Sequence, residues 1–353
     1  MNLYSELPLS AQTAYAQLAD VATSLELNRS IAHLHGSFSR KTVQASVYWY
    51  FSFRDLNGEV RQLYVGPDTD AVRSAVERAK SSAVKPDAAL APLARAAVAL
   101  GCAPALPKHL RAVRRLGEYG FFRAGGVLVG THAFMAMGNM LGVKWSAGDR
   151  TTDVDFAHAG KNISVALPAD VQIDVHAALT SFEQGFIPLV QLSGGAGASY
   201  QLSGDPEFQI DFLTSAHRGG DAPVMIPNLN VALQPLRFME FSLEHVEQAV
   251  LVDRNGGSTM VTIPAPERYA VHKLLIVGER SGATRTKANK DVQQAAALCE
   301  YLLATQPERL QDSWRDAVSR GPGWRKRALE GLAAMQRVHP DLKLSHLMTE
   351  IGA

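Results

Sequence analysis

The segment from residue 125 to residue 156 constrains the fold more than any other part of the chain. It begins with Gly125–Thr131, an apolar run that predicts a buried strand ending in a tight glycine turn. A helix is predicted from about His132 to Leu141, and a second strand at Thr151–Phe156. Backbone N–H groups in such a turn and at a helix N-terminus can bind phosphate oxygens. The segment therefore predicts an anion-binding turn beside a sheet.

Two aspartates lie on the second of these strands. The side-chain period of two in a strand places Asp153 and Asp155 on one face, while Val154 and Phe156 enter the core. Carboxylates that converge on two metal ions roughly 4 Å apart are what two-metal phosphoryl chemistry requires. An isolated Asp-x-Asp is weak evidence, since it also occurs at surfaces and in turns. The glycine turn upstream is what favours a functional pair.

A third carboxylate has two candidates. Asp211 belongs to a run in which Phe208, Ile210 and Phe212 alternate with polar positions, so we predict a strand with Asp211 on its outer face. Asp174 lies in a run whose apolar residues continue at helical spacing to Phe186, which places it on the flank of a helix. The periodicity favours Asp211, and Asp174 remains the alternative.

Composition excludes several classes of protein. Lysine plus arginine number 35 against 34 acidic residues, so no global field predicts a nucleic-acid or membrane partner. The two cysteines lack zinc or disulfide spacing, and the N-terminus lacks a basic leader before an apolar run. Polar and glycine residues interrupt the most apolar stretch, Val127–Val143, and argue against a membrane span. We expect a cytoplasmic protein.

The N-terminal part predicts a helix followed by an aromatic hairpin. The helix covers about Ser10–Leu27, and the hairpin lies within Gly36–Pro67, with Asn57-Gly58 at its turn and a return strand at Glu59–Val65. Its aromatic strand has two interpretations. With Arg40, Lys41, Arg54 and Arg61 it could stack bases and contact phosphates, or its inward rings could simply pack a small domain.

Further elements are predicted along the rest of the chain. Helices are expected at Asp68–Val84, Asp87–Leu100 and Lys108–Tyr119, and a flexible loop at Ser193–Ser199. After about Pro264 the chain is mainly helical. One helix there covers Glu267–Val277, with Gly278 ending it, and another begins near Lys290-Asp291.

These features together resemble the DNA polymerase β superfamily of nucleotidyltransferases. In that superfamily an apolar residue, a glycine and a small residue precede the helix, as Val129-Gly130-Thr131 do here. The interval from Thr131 to Asp153 is longer than in the superfamily's minimal motif and implies a longer helix or an inserted loop around Trp145–Arg150. Over most of its length the chain is similar to a bacterial nucleotidyltransferase-like subgroup. The motifs that carry this likeness are Gly36–Lys41, Tyr48–Tyr50, Tyr64–Pro67, the Gly-Thr turn, Arg150 with the Asp-x-Asp strand, Ile210–Phe212, Lys273 and Lys290-Asp291.

The resemblance implies an α+β fold in three parts. A small N-terminal α+β domain would span residues 1–105, a nucleotidyltransferase-type mixed-sheet core residues 106–263, and a helical C-terminal part residues 264–353. Asp153, Asp155 and Asp211 would be the catalytic carboxylates and would hold Mg²⁺ or Mn²⁺, while Gly130 and Thr131 would bind the triphosphate. Lys273 would contact the triphosphate, and Asp291 would support the site or orient Arg280, although both charges are also consistent with solvated helix positions.

The implied activity is metal-dependent transfer of a nucleoside monophosphate from an NTP to an acceptor, with release of pyrophosphate. RNA, tRNA or protein would be the acceptor, and no membrane is implied. Two alternatives stay open: a non-catalytic nucleotide- or RNA-binding module with the same fold, and a toxin of a toxin–antitoxin pair that modifies tRNA. The absence of G-x-x-x-x-G-K-[ST] and G-x-S-x-G motifs argues against P-loop NTPases and serine hydrolases.

Overall fold

A computed structural model describes most of the chain. The described residues are 2–32, 36–43, 46–54, 60–69, 72–73, 76–77, 86–148, 151–159, 173–182, 185–190, 196–216, 220–279 and 285–342. The predicted Asn57-Gly58 turn, most of the predicted helix 68–84, Arg150, Arg280 and residues 193–195 lie outside them. So do the side chains of Arg54 and Arg61.

A mixed sheet forms the centre of the molecule. Its strands are β5 (Gly126–Val129), β7 (Val154–His158), β8 (Phe186–Val190), β9 (Ala196–Leu202), β10 (Asp205–Ser215), β11 (Val224–Ile226) and β12 (Val231–Leu236). Strand β10 is parallel to β7 on one edge; on its other edge it pairs first with β9, antiparallel, and then with β12, parallel. Strand β5 is antiparallel to β7. This confirms the predicted α+β class with a mixed sheet.

Apolar alternation places one face of this sheet in the core. Phe156 and Phe212 are fully buried and stack at a ring separation of 5.6 Å, with Phe121 edge-on to both. Phe208 and Ile210 are also buried, as the period of two predicted. The opposite face of β7 and β10 is thereby left to the aspartates.

The long interval between Thr131 and Asp153 contains an additional strand. Helix α4 (Gly130–Met140) is followed by β6 (Val143–Trp145), which pairs antiparallel with β1 (Tyr4–Glu6) near the N-terminus. The longer interval is therefore due in part to this strand and not to a longer helix, since α4 ends at Met140, and β6 connects the N-terminal segment to the central layer.

The N-terminal region is a long helix followed by a small antiparallel sheet. Helix α1 (Leu9–Ala32) leads into β2 (Gly36–Val43), β3 (Ser46–Arg54) and β4 (Val60–Pro67). The predicted hairpin is confirmed as β3 and β4, and β2 is an additional strand. Trp49 and Phe51 are buried, which agrees with the packing interpretation of the aromatic strand. Helices α2 (Pro86–Leu100) and α3 (Pro107–Glu118) then lie close to their predicted ranges.

The predicted loop at residues 193–199 is wrong where it can be checked. Residues 196–199 belong to β9, with Ser199 opposite Asp211 in the antiparallel register. Glycine, alanine and serine suggest a loop by composition, but backbone pairing with β10 determines the conformation here.

The C-terminal region is helical after a two-stranded ladder. Strands β13 (Val246–Val252) and β14 (Ser258–Pro264) pair antiparallel, and the chain continues through the last four helices. Between β12 and this ladder lies one short helix, α6 (Met239–Leu243), while α5 (Val175–Thr180) precedes β8. The last helices are α7 (Pro266–Glu279), α8 (Arg285–Thr305), α9 (Pro307–Ser319) and α10 (Pro322–Val338). Among the described residues, no helix has the length and apolarity needed to cross a membrane.

Gly278 does not end its helix, contrary to the prediction. It lies within α7, and a Cβ added there would be 2.1 Å from the carbonyl oxygen of Arg327 in α10. Gly331 of α10 is the reciprocal case, 2.0 Å from the carbonyl oxygen of Leu274. Both glycines are therefore needed because the backbones of α7 and α10 approach each other closely.

Substitution at this crossing is expected to destabilise the protein. Gly278→Ala should lower the free energy of unfolding by about 1–3 kcal/mol, because a methyl group cannot fit against backbone without separating the helices. Gly323→Ala is the control, since no atom of the described residues lies within 4 Å of its added Cβ. Chemical denaturation of both variants measures the effect, and equal stabilities would contradict this account of the crossing.

Candidate active site

The strand register brings the predicted carboxylates together. Asp211 of β10 is paired with Asp155 of β7 in the parallel ladder, and Asp155 is paired with Val129 of β5. Asp153 immediately precedes β7. Because Val154 and Phe156 are buried on the opposite face, both aspartates of the pair face away from the core, as predicted.

Gly130 forms the turn between β5 and α4. Its φ is +63°, a left-handed conformation that favours glycine, and an added Cβ would be 2.1 Å from Asp155 Oδ2. The carboxylate thus lies directly against the backbone at the start of α4. A helix N-terminus favours negative charge there.

All seven predicted site residues line one cavity of about 350 Å³. They come from the glycine turn, from strands β7 and β10 with the residue that precedes β7, and from helices α7 and α8. The cavity is closed further by residues of α6, α7 and α8. The predicted residues are Gly130, Thr131, Asp153, Asp155, Asp211, Lys273 and Asp291.

Electrostatics in this cavity are dominated by crowded negative charge. Burial raises the pKa of Asp155 to about 6, and repulsion from Asp211 and Asp153 adds to the effect. Lys273 and Lys290 oppose it. The pKa of Lys290 is in turn lowered by burial and by Lys273. A further positive charge between the carboxylates would relieve this repulsion.

Asp211 is held in place by two side chains. Ser199 Oγ donates to Asp211 Oδ1 at 2.5 Å, and Gln209 Nε2 donates to the same oxygen at 2.8 Å. The carboxylate orientation is therefore set by β9 and by Asp211's own strand.

Asp174 lies elsewhere and has another role. It is the N-cap of α5, accepting from the backbone N–H of Ala177 at 2.7 Å and from Asn230 Nδ2 at 2.9 Å. These donors hold the pKa of Asp174 below its usual range. The helix continues only to Thr180, and Phe186 begins strand β8, so the predicted helical run to Phe186 is wrong. Capping, not a helix flank, explains the position of Asp174.

Lys273 and Asp291 form a buried ion pair in the cavity wall. Lys273 Nζ lies 2.6 Å from Asp291 Oδ1, and the two side chains are only 12% and 8% exposed. Burial lowers the pKa of Lys273, but Tyr269, Asp291 and Asp155 outweigh it and raise the pKa above its ordinary value. The alternative of solvated helix charges does not fit these burials.

The donor set suits a hard divalent cation. Carboxylate oxygens are the ligands that Mg²⁺ prefers, and protein sites for it commonly supply one or two carboxylates and leave the rest to phosphates and water. Within the described ranges, no three histidine, cysteine or acidic side chains form a ready-made metal-binding group. The residues present therefore fit a cation that phosphate oxygens help to bind.

A nucleotidyltransferase family profile matches residues 108–319, more than half of the chain. The chain belongs to this nucleotidyltransferase family. The match begins in α3 and ends at the last residue of α9, so it contains the whole cavity. No curated protein matches the chain. Among solved structures, this nucleotidyltransferase is similar to an antigenic nucleotidyltransferase-like protein from Paracoccidioides brasiliensis. The identity is 18%, over 65% of this chain and 95% of that chain, and the TM-score of 0.30 is too low to equate the two folds.

Two residues of the nucleotidyltransferase's cavity were missed by sequence reasoning. The Tyr269 hydroxyl lies 2.8 Å from the carbonyl oxygen of Gly130 and 2.9 Å from Gln294 Oε1. Gln294 Nε2 donates to the carbonyl oxygen of Gly148 at 2.7 Å. Tyr269 precedes Lys273 by four residues and Gln294 follows Lys290 by four, so helical periodicity was the signal available. Together they connect the glycine turn to α7 and α8.

His132 is a packed core residue of this nucleotidyltransferase. Its Nε2 lies 3.0 Å from His109 Nδ1, and both rings are buried. Burial lowers the pKa of His132 to about 3, with His109 and Lys290 adding to it. Burial and Lys108 lower the pKa of His109 to about 4, while Asp205 opposes this.

This pair predicts a pH-dependent stability. Unfolded histidine titrates near pH 6.5, so between that value and the folded values the unfolded chain binds more protons. The free energy of unfolding should therefore fall as pH falls from 7 to 5. The double variant His109→Leu/His132→Leu should reduce this fall by about 1–3 kcal/mol, as measured by denaturation at both pH values. An unchanged pH dependence would contradict the assignment.

Proposed function

We propose that this nucleotidyltransferase is a metal-dependent enzyme of the DNA polymerase β superfamily that transfers a nucleoside monophosphate from an NTP to an acceptor and releases pyrophosphate. The observation that carries the proposal is the meeting of Asp153, Asp155 and Asp211 with a glycine turn in one cavity. Carboxylates and an anion-binding turn are complementary parts of a site for a metal-bound triphosphate.

The residues have distinct roles in the proposal. Asp153 and Asp155 would hold Mg²⁺ or Mn²⁺, with Asp211 completing the set, and the ions would neutralise charge on the phosphates. The turn at Gly130 and Thr131 binds triphosphate oxygens through backbone N–H groups. Lys273, held by Asp291, supplies a fixed positive charge in the same cavity wall.

Asp211 also lies at the boundary between two cavities. A second cavity of about 390 Å³ is lined by Ser199, Gln209, Asp211, Leu213 and Gln234, among others, and it shares Asp211 and Leu213 with the first. An acceptor hydroxyl that enters from this side meets Asp211 next to the phosphate-binding turn. Asp211 is therefore the group placed to receive the hydroxyl proton.

Labelled nucleotides test the reaction. The protein is incubated with each NTP, labelled at the α- or the γ-phosphate, with Mg²⁺ or Mn²⁺ and with cell RNA or protein. Transfer of the α-label and not the γ-label to an acceptor, lost in Asp153→Ala/Asp155→Ala, is the expected result. Equal labelling by the double variant would refute the assignment. Metal-dependent NTP binding with no transfer on any acceptor would instead favour the non-catalytic binding module.

A further inference from the structure

Helix α3 has a basic face that the proposed reaction does not use. Lys108, Arg111, Arg114 and Arg115 recur at helical spacing and line a groove of about 490 Å³. At 1.5 Å per residue, the basic face extends for about 10 Å from Lys108 to Arg115. The chain as a whole has a net charge of only +1, so this is a local concentration of positive charge.

The opposite wall of the groove is aromatic and apolar. It consists of Phe182, Phe186, Leu202 and Phe208, which come from the segment after α5 and from β8, β9 and β10. Two cations lie over rings of this wall: the Arg115 guanidinium 5.6 Å from the Phe182 ring centre, and Lys108 Nζ 5.4 Å from that of Phe208. Phe182 is only partly buried, so one ring is accessible from the groove.

The groove keeps a positive excess after its ion pairs are considered. Lys108 pairs with Asp205 at 2.5 Å, and Glu118 lies 3.0 Å from Arg114 and 3.8 Å from Arg115. Arg111 is exposed and forms no ion pair with any residue that the structure describes. Among the residues that the structure describes, four cations therefore face two carboxylates.

The groove is close to the catalytic aspartates along β10. Phe208 of the groove precedes Asp211 by three residues, which is about 10 Å along a strand. In the register, Ile210 pairs with the first residue of β7, so residues 205–209 extend beyond that strand. Phe208 and Asp211 lie on opposite faces of β10. A linear ligand in the groove would reach Asp211 by passing around this end of the sheet.

We propose that this groove binds single-stranded nucleic acid and guides it to Asp211 as the acceptor, an inference that rests on the proposed function. Cations at regular spacing contact successive phosphates, and a ring in the wall provides a stacking surface for a base. Acidic peptide side chains would satisfy the cations but have no aromatic ring to stack on the accessible ring of Phe182. The aromatic wall is what favours nucleic acid.

Binding of labelled twelve-nucleotide oligonucleotides to the full-length protein tests the proposal. The probes are oligouridylate, an RNA, and oligothymidylate, a DNA. Their binding is measured by fluorescence anisotropy at several salt concentrations without NTP. Arg111→Glu/Arg115→Glu should weaken binding at least about tenfold and reduce the salt slope by about 1.4, since each single-strand phosphate contact contributes about 0.7. The tighter of the two probes identifies RNA or DNA as the natural ligand.

The control double variant is Arg254→Glu/Lys326→Glu, which makes the same charge change at two exposed positions outside the groove. It should bind like the parent protein, and thermal melting checks that both variants fold. Equal weakening in both variants, or equally strong competition by polyglutamate, would overturn the proposal. Asp153→Ala/Asp155→Ala should still bind the probes. If the groove proposal alone fails, Arg111→Glu/Arg115→Glu binds the probes like the parent protein, and the parent protein still transfers the α-label. If the proposed reaction alone fails, this variant loses binding, and the parent protein transfers no label.

Discussion

Asp155→Asn is expected to reduce nucleotidyl transfer by roughly 1,000-fold while making the metal-free protein more stable. The carboxylate is buried beside Asp211 and Asp153, and its raised pKa reports the cost of keeping it charged. Asparagine has almost the same shape without the charge. The free energy of unfolding in a chelator at pH 7 should rise by about 1–3 kcal/mol. Such opposed effects are typical of a residue kept for function at the expense of stability.

Asp174→Asn is the matched control for this prediction. Asp174 caps α5 and does not line the cavity, so transfer should stay near the parent rate. Stability should change by no more than about 1 kcal/mol, because asparagine is also a good N-cap. A parallel Asp211→Asn variant should lose transfer. If Asp155→Asn destabilises the protein, or if Asp174→Asn is the inactive one, the carboxylate assignment is wrong.

Gly130→Ala should reduce transfer about 100-fold and lower the free energy of unfolding by about 1–3 kcal/mol. The left-handed backbone at φ +63° costs an alanine about 1–2 kcal/mol. The methyl group would also lie 2.1 Å from Asp155 Oδ2 and force that carboxylate to move. A displacement of about 1 Å at a reacting centre costs on the order of 100-fold in rate. Steady-state kinetics and denaturation measure both effects.

Gly185→Ala separates the effect of backbone strain from the effect of the contact with Asp155. Gly185 has nearly the same φ, +59°, but among the described residues its added Cβ meets only the Thr180 carbonyl oxygen, at an ordinary 3.9 Å. It should lose a similar amount of stability to backbone strain and keep its transfer rate. If Gly130→Ala is no less active than Gly185→Ala, contact between Gly130 and Asp155 is not what the turn contributes.

Periodicity made much of the central sheet predictable. Alternation at Phe208, Ile210 and Phe212 and at Val154 and Phe156 identifies a buried face, because a one-residue slip would expose every ring. It follows that the polar positions between them lie on the other face. The same rule could not state that β7 and β10 are neighbours. Their register, which pairs Asp155 with Asp211, is a long-range property of the fold.

The missed features depend on contacts between distant segments. Gly278 was predicted to end a helix because glycine commonly does so, but its reason is the backbone of α10 about fifty residues later in the chain. Tyr269 and Gln294 acquire their roles only when α7 and α8 pack against the glycine turn. Likewise, the sequence shows Lys273 and Asp291 only as two charged residues. Their ion pair and their burial depend on the packing of α7 against α8.

A crystal structure with a non-hydrolysable NTP and Mn²⁺ would locate both the metal ions and the triphosphate. Anomalous scattering locates manganese without assumptions about the density. We expect manganese bound to Asp153 and Asp155, with the triphosphate against the backbone N–H groups of Gly130 and Thr131 and within reach of Lys273. Nucleotide and metal bound together elsewhere, with the cavity at Asp153 and Asp155 containing neither, would contradict this expectation.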